Sequence, residues 1–477
     1  MDHTVYVENL GCAKNQVDAE VMIESLTQAG WSVESEPERA SVIVVNSCGF
    51  IEPAKEESIE TAFSFHTLYP DKKIVMAGCL AQRYGEEIHH SMPELAAVFG
   101  NRAPQEVAPF LEKVLSGEAT IYLPEPKDVL PLRRTLLSYP GSAFVKVAEG
   151  CNNRCTFCAI PLIRGGLRSR AVDEVMAEIT HFLSRGIFEI NLVSQDLAAY
   201  GGDRGAGRGR GGAGPGQGPG AVEELLSRIS ALSGDFWVRL LYIYPEHFPD
   251  SVLQACRRDP RILPYFDIPM QHASRGVLAA MGRPGDGERY LQLIRRIRDA
   301  LPDAVIRSTF LVGFPGETDA DMEILSRFQA EAEIDWLGVF PYSAEDGTAA
   351  YQKAQGPLRV AKKKAEARKK GVEMAQIDIS ARRLDRFIGR TLRVLVEERV
   401  EGEPFAIGRA YLHAPEVDGL VVVRTGDADA ADAAGPAVTP GRTVDVRIIR
   451  RNGVDLEGVP VTRGGGPGED PRRGSAR

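Results

Sequence analysis

The sequence predicts an α/β protein in three parts: an N-terminal parallel α/β sandwich, a central partial (βα)6 barrel and a C-terminal small β-barrel. Three observations carry this. Strand-like runs alternate with helix-period segments through the N-terminal region, the rhythm of a parallel sheet. Six further strand candidates separated by helical patterns follow. From Leu392 the pattern changes to short strands broken by turns.

In chain order, Val5–Leu10, Ser41–Asn46 and Lys73–Ala77 read as strands, with helical spacing over Asp18–Ala29 and Glu56–Phe65 between them. The Pro-rich stretch Leu123–Pro140 reads as a linker. The barrel strands are expected at Phe144–Val147, Glu189–Val193, Val238–Tyr244, Tyr265–Pro269, Val305–Val312 and Trp336–Pro341. Val172, Val175, Met176, Ile179, Phe182 and Leu183 fall on one helix face, as do Leu291, Ile294, Ile297 and Leu301. A nearly pure Gly/Arg/Pro insertion, Gly201–Gly220, can build no core and reads as a loop; an RGG-type nucleic-acid contact is its alternative. The basic run Lys362–Lys370 reads as a solvated helix face linking two domains, with a polyanion contact as its alternative. TLRVLVEE, AIGRAYL, GLVVVRT and TVDVRIIR supply the strands of the last barrel, and Thr462–Arg477 reads as a disordered tail.

The chain has 477 residues, 43% hydrophobic and 26% charged, ordinary values for a large globular protein. No apolar stretch is long enough for a membrane span, and the N-terminus lacks a basic segment followed by an apolar run, so the expected location is cytoplasmic, with no membrane partner. A net charge of −9 makes a poor general polyanion binder and suits a basic protein partner.

Seven cysteines, an odd number, argue against a disulfide framework and for cluster ligation. Cys151, Cys155 and Cys158 form C-x3-C-x2-C, a triplet that chance would supply on the order of 0.002 times in this composition. Three thiolates on one tight loop can hold three corners of an iron–sulfur cubane and leave the fourth iron open. Zinc wants a fourth protein ligand nearby, and no His or Cys lies in the twenty residues after Cys158. S-adenosylmethionine (SAM), chelating the open iron, explains the missing ligand. Cys12, Cys48 and Cys79 each follow a predicted strand (VYVENLGC, VIVVNSC, KIVMAGC). Parallel strands bring such ends together, so this trio can hold a second cluster; three separate buried cysteines is the alternative. Cys256 reads as a buried free thiol on a helix.

The segments NLGCAKNQVD, VVNSCGF, MAGCLAQRY and EGCNNRCTFCAIPLIRGGLRSR closely resemble those of the radical SAM methylthiotransferases, over about residues 4 to 450. DIPMQHAS (Asp267–Ser274), LLYIYPEHF (Leu240–Phe248) and APEVDG (Ala414–Gly419) resemble the RimO-type branch. That branch modifies an aspartate of small-subunit ribosomal protein S-twelve; the other branch modifies tRNA adenosine and is the alternative. A non-enzymatic zinc-binding ribosome or RNA adaptor is a third reading. Between Leu395 and Arg450 ten Asp/Glu face six Lys/Arg, a net of −4. An acidic barrel suits a basic ribosomal protein better than tRNA.

The resemblance implies a cluster-binding methylthiotransferase domain over 1–118, a linker over 119–136, a radical SAM domain over 137–378, a TRAM barrel over 379–455 and a disordered tail over 456–477. It implies two 4Fe-4S clusters, on Cys151, Cys155 and Cys158 and on Cys12, Cys48 and Cys79, plus SAM and an electron donor such as flavodoxin or ferredoxin. In the implied reaction, reductive cleavage of SAM yields a radical that takes a hydrogen from the aspartate β-carbon; the second cluster presents the sulfur that becomes the methylthio group. Expected SAM contacts are Phe157, Ser194, Gln195, Asp196, Gln271, His272, Arg307 (for the SAM carboxylate) and, for close backbone approach, Gly313 and Gly316 with Pro315 between. Arg164 and Arg168 either steady the cluster loop or sit exposed. The Gly-rich insertion and the acidic DADAADAAGP stretch depart from the family pattern.

Overall fold

The computed structural model describes residues 3–127, 130–204, 221–425 and 438–461. Most of the Gly-rich insertion, the DADAADAAGP stretch and residues 462–477 lie outside these residues, so the expectations for them are left there; residues 456–460, expected in the disordered tail, instead belong to the strand Asp455–Pro460, because they pair into the last barrel. Three sheets organise the chain.

The first is a six-stranded, all-parallel sheet in the order Ser32–Val33, Thr4–Asn9, Val42–Ser47, Lys73–Ala77, Ala97–Gly100, Ile121–Tyr122. Its central strands are near-continuous apolar runs because helices cover both faces. The two-residue strand period divides them cleanly: Val42 and Val44 enter one core with Met22, Leu26 and Phe110, while Ile43 and Val45 enter the other with Met76, Leu80 and Ile88. Helices Ala13–Gln28, Glu52–Leu68 and Gly78–Ser91 follow three neighbouring strands.

The second sheet has six parallel strands in chain order: Ser142–Lys146, Glu189–Val193, Trp237–Leu240, Ile262–Asp267, Val305–Val312, Trp336–Pro341. Here too alternate residues part company. Ala143 and Val145 join the helix-covered core, whereas Phe144 turns to the opposite face with Val193, Trp237, Tyr265 and Trp336. That opposite face is not left open. Val17 of helix Ala13–Gln28 packs on it from one side, and Leu392, Val394, Tyr411 and Leu412 of the last domain pack on it from the other.

The third sheet is a closed five-stranded barrel of Thr391–Arg399, Phe405–Ala410, Val421–Arg424, Asp455–Pro460 and Thr443–Asn452. It is tied to the central sheet by charge as well as packing. Glu189, fully buried, takes Arg239 at 2.9 Å and Arg409 of the barrel at 2.7 Å.

The stretch expected as a linker is a docked strap. Arg133 in it is fully buried, paired with Glu20 of helix Ala13–Gln28 and, at 2.7 Å, with Glu178 of helix Val172–Ser184. The basic run opens a 24-residue helix, Lys362–Asp385. Its face is solvated only in part, since Ala365, Arg368, Val372, Gln376 and Ile379 are buried at helical spacing. Cys256 is buried on helix Asp250–Arg258, as expected. Among the described residues no helix is long and apolar enough to cross a membrane.

Candidate functional site

Cys12, Cys48 and Cys79 lie at the C-terminal ends of three adjacent strands: Cys12 where helix Ala13–Gln28 begins, Cys48 directly after Val42–Ser47, Cys79 in the first turn of Gly78–Ser91. Two glycines make the approach possible. Gly11 has φ +96°, and a Cβ on it would lie 3.0 Å from Cys48 Cβ. Gly78 has φ +95°, and a Cβ there would meet the Ser47 carbonyl at 2.5 Å.

The Cys79 thiol is ringed by polar groups. It donates to Asn15 Oδ1 at 3.0 Å and accepts from Asn101 Nδ2 at 3.1 Å and Arg164 Nη2 at 3.3 Å. Burial pushes the Cys48 thiol up to about 12, and the neighbouring Cys79 and Cys12 add to the rise. Burial pushes Cys79 up as well, against Arg164. Cys12 reaches solvent from a crowded recess. Desolvation there pushes it up, but Lys14 and Arg164 outweigh this and the net direction is down.

Cys151, Cys155 and Cys158 sit on a loop after strand Ser142–Lys146, pinned from several sides. Cys151 N–H donates to Gly165 O at 3.1 Å, Thr156 N–H to Met281 O at 2.9 Å, and Asn153 Nδ2 to Asp196 Oδ2 at 2.9 Å. Burial pushes Cys151 up to about 11 and Cys158 to about 12, in both cases with help from the neighbouring Cys155. Cys155 is raised too, by burial, and lies 3.8 Å from the Tyr244 hydroxyl.

The two trios meet across the helix Ile160–Arg164, which follows Cys158. Cys79 packs with Ala159 and Ile163, and Arg164 reaches back to its sulfur. Lys14 feels the charge of Cys12, and it acts on Cys158 in turn.

The donor chemistry fits iron–sulfur clusters. Buried thiols hold their protons unless a strongly cationic centre displaces them, which metal ligation does. A cubane attaches each thiolate to a different iron, so its ligands are spread over the cluster's corners. Among the described residues no group of three His, Cys, Asp or Glu that could hold a single metal ion occurs.

The expected SAM contacts fall into two sets. Ser194 and Gln195 follow strand Glu189–Val193, and Ser194 Oγ and both side-chain amide atoms of Gln195 are buried without a hydrogen-bond partner. His272 accepts from Ser274 N–H at Nδ1, which leaves Nε2 protonated and without a hydrogen bond, 3.7 Å from Glu317 Oε2; burial lowers its pKa to about 4. Such orphaned atoms at strand ends are what a missing polar ligand leaves behind. Gln271 adopts φ +69° there, and Asp196 caps the turn Leu197–Ala199 besides holding Asn153.

The second set is engaged elsewhere. Arg307 is the third residue of its strand, paired with Asp267 at 3.1 Å and Asp418 of the C-terminal barrel at 3.4 Å. A Cβ on Gly313 would run into Ala365, so that glycine admits helix Lys362–Asp385. Gly316 N–H donates to Leu358 O at 2.8 Å, and Phe157 packs against the central core. Arg168 steadies the loop, donating to Arg164 O at 3.1 Å.

Sequence reasoning missed Lys14, Asn15, Asn101, Tyr242 and Tyr244. Asn15 lies three residues past Cys12 in the same segment, and the two tyrosines lie in a segment noted only as a strand end and a family mark. These were available signals. Asn101 carried none.

Residues 4–100 match the uncharacterized protein family UPF0004, residues 145–328 the radical SAM superfamily, and residues 388–461 the TRAM domain. A protein of Treponema denticola named ribosomal protein uS12 methylthiotransferase RimO is 42% identical over 469 residues, covering 94% of this chain and 99% of its own. The chain belongs to the RimO methylthiotransferase family. Its RimO relative in Moorella thermoacetica is 39% identical over 88% of this chain and 93% of its own. The RimO protein of Anaeromyxobacter sp. (strain K) is 39% identical over 96% and 93%. The fold is also that of TsrM from Kitasatospora setae, a radical S-adenosylmethionine methyltransferase with cobalamin and a [4Fe-4S] cluster. It matches with a TM-score of 0.53 at 12% identity, over 74% of this chain and 77% of that one. The three-part α/β architecture expected from the sequence is the one observed.

Proposed function

We propose that this protein is a radical SAM methylthiotransferase that adds a methylthio group to the β-carbon of an aspartate of ribosomal protein uS12. The family membership supports the reaction and the substrate. The observation that carries the site is the meeting of two thiol trios across one short helix, with Arg164 of the SAM domain at 3.3 Å from Cys79.

In this reading Cys151, Cys155 and Cys158 hold the cluster that binds SAM, and Cys12, Cys48 and Cys79 hold the second. When bound, the clusters and SAM supply the electron, the hydrogen-abstracting radical and the sulfur. The protein's own work is placement. Asn153 and Asp196 fix the first loop; Asn15, Asn101 and Arg164 hold the Cys79 sulfur. Ser194, Gln195 and His272 offer polar atoms to the cofactor, with Asp196 and Gln271 beside them. The C-terminal barrel closes the open face of the central sheet and helps exclude water. A flavodoxin- or ferredoxin-type donor supplies electrons, and the cytoplasm, where ribosomes are, is the place of action.

The test is mass spectrometry of uS12 and of tRNA from a strain lacking the gene. Loss of the methylthio mass from uS12 is expected. Its loss from tRNA with uS12 unchanged would overturn the reading.

A further inference from the structure

The geometry points to Lys14 as the residue that recognises the side-chain carboxylate of the substrate aspartate. This rests on the function proposed above. The methylthio group goes to the β-carbon, so the reacting carbon must lie in the space between the two trios. The carboxylate is one bond away and enters the same space. A carboxylate taken out of water there needs a cation.

Three of the cations around this space are committed to carboxylates, and Lys14 is not. Arg164 is bonded to Asp18 at 2.9 Å and to Glu149 at 3.0 Å. Lys146 is paired with the same two carboxylates. Arg307 holds Asp267 and Asp418. Lys14 is 7% exposed, and among the described residues no carboxylate lies within ion-pair distance of its ammonium. Its Nζ donates to Ser194 O at 3.3 Å and sits 3.7 Å from the centroid of the Tyr242 ring.

That cradle is built with some strain. Tyr242 has φ +63°, a left-handed conformation that a bulky side chain adopts only when its surroundings impose it. The ring and the carbonyl orient Nζ, and neither of them is an anion. One donor without a carboxylate partner is therefore held, buried, on the helix that begins at Cys12.

SAM carries a carboxylate too, and the test separates the two. Wild type, Lys14→Met and Lys14→Arg are reconstituted with clusters under anaerobic conditions. Each is titrated with fluorescently labelled uS12 carrying either the target aspartate or asparagine in its place. Wild type is expected to bind the aspartate form about 10- to 100-fold more tightly, the range for losing a hydrogen bond to a charged partner. Lys14→Met should bind both forms alike, with Lys14→Arg recovering part of the preference. Iron content and the SAM-induced change in the cluster's EPR signal should stay at wild-type values.

Three results overturn the inference: an undiminished aspartate preference in Lys14→Met, loss of iron in that variant, or loss of its SAM-induced signal. The last two would assign Lys14 to the cluster or to SAM. If Lys14→Met does not fold, wild type decides alone, because equal affinity for the two uS12 forms overturns the inference as well. A wild-type enzyme that adds no methylthio mass to uS12 defeats the parent reading. One that modifies uS12 yet binds both forms equally defeats only the role of Lys14.

Discussion

Arg164 Nη2 lies 3.3 Å from Cys79 Sγ while the same guanidinium holds Asp18 and Glu149. One side chain from the cluster loop of the central domain thus supports a sulfur of the N-terminal domain. Burial opposes its charge, but Cys79, Glu149, Asp18 and Cys12 together hold its pKa well above the usual value. Arg164→Met leaves two buried carboxylates with one cation, Lys146, to share. Breaking a buried pair this way costs about 3–5 kcal/mol. The expected outcome is a lower melting temperature and less iron, lost first from the N-terminal trio. Calorimetry and iron analysis check it, and wild-type iron in the variant would remove Arg164 from the second cluster's support.

If each trio holds its own cluster, replacing Cys12, Cys48 and Cys79 together by Ala should remove about half the iron and leave SAM cleavage intact. The methylthio product should vanish. Cys256→Ala is the matched control. Cys256 is fully buried on helix Asp250–Arg258, outside both trios, so its loss opens a small cavity costing about 1–2 kcal/mol without changing iron. Iron analysis and assay of 5′-deoxyadenosine read out both. Loss of all iron from the triple variant would mean the trios are not independent.

Much of this was legible in the chain. Runs such as VIVVNS and the placement of a cysteine after each run announce a parallel sheet with its thiols gathered at one edge, because strand direction alone decides where those ends go. Three short strands were not legible: Ser32–Val33, Ala97–Gly100 and Ile121–Tyr122 are too short for a period to show. Long-range charge was not legible either. Arg133 looked like part of a Pro-rich linker, yet its partners Glu20 and Glu178 lie 113 and 45 residues away. Arg307 misled for a related reason. A strand Arg near a cofactor invites an ionic role, but Asp418, which meets it, arrives from another domain.

Gly78→Ala should damage the second cluster site selectively. The left-handed φ of +95° and the approach to Ser47 O leave no room for a methyl group. Strain of this kind costs about 1–3 kcal/mol, and the local remedy, shifting the first turn of the helix, moves Cys79. Iron should fall towards half, with 5′-deoxyadenosine formation retained. Equal loss of both activities would show that the turn supports the whole fold rather than one cluster.

Glu189 gives a pH prediction. Burial pushes its carboxyl up, but Arg409 and Arg239 outweigh that and hold it down at about 2, against about 4.5 for the free group. A carboxyl with a lowered folded pKa stabilises fully above its unfolded pKa, and that stabilisation is lost as pH falls through the folded value. The window is therefore about pH 4.5 down to about 2, and the contribution is about 3 kcal/mol at neutral pH. Denaturant titrations at pH 7 and pH 3 should show wild type losing stability in this window. Glu189→Gln leaves Arg239 and Arg409 buried against a neutral amide, so it should be less stable than wild type at pH 7, with the gap closing as pH falls. The two guanidiniums come from different domains, one on strand Trp237–Leu240 and one on strand Phe405–Ala410. The variant should consequently loosen the C-terminal barrel first, visible as faster amide exchange in Thr391–Arg399 and Phe405–Ala410. A pH-independent gap, or exchange confined to the central sheet, would show that Glu189 does not clamp the two domains together.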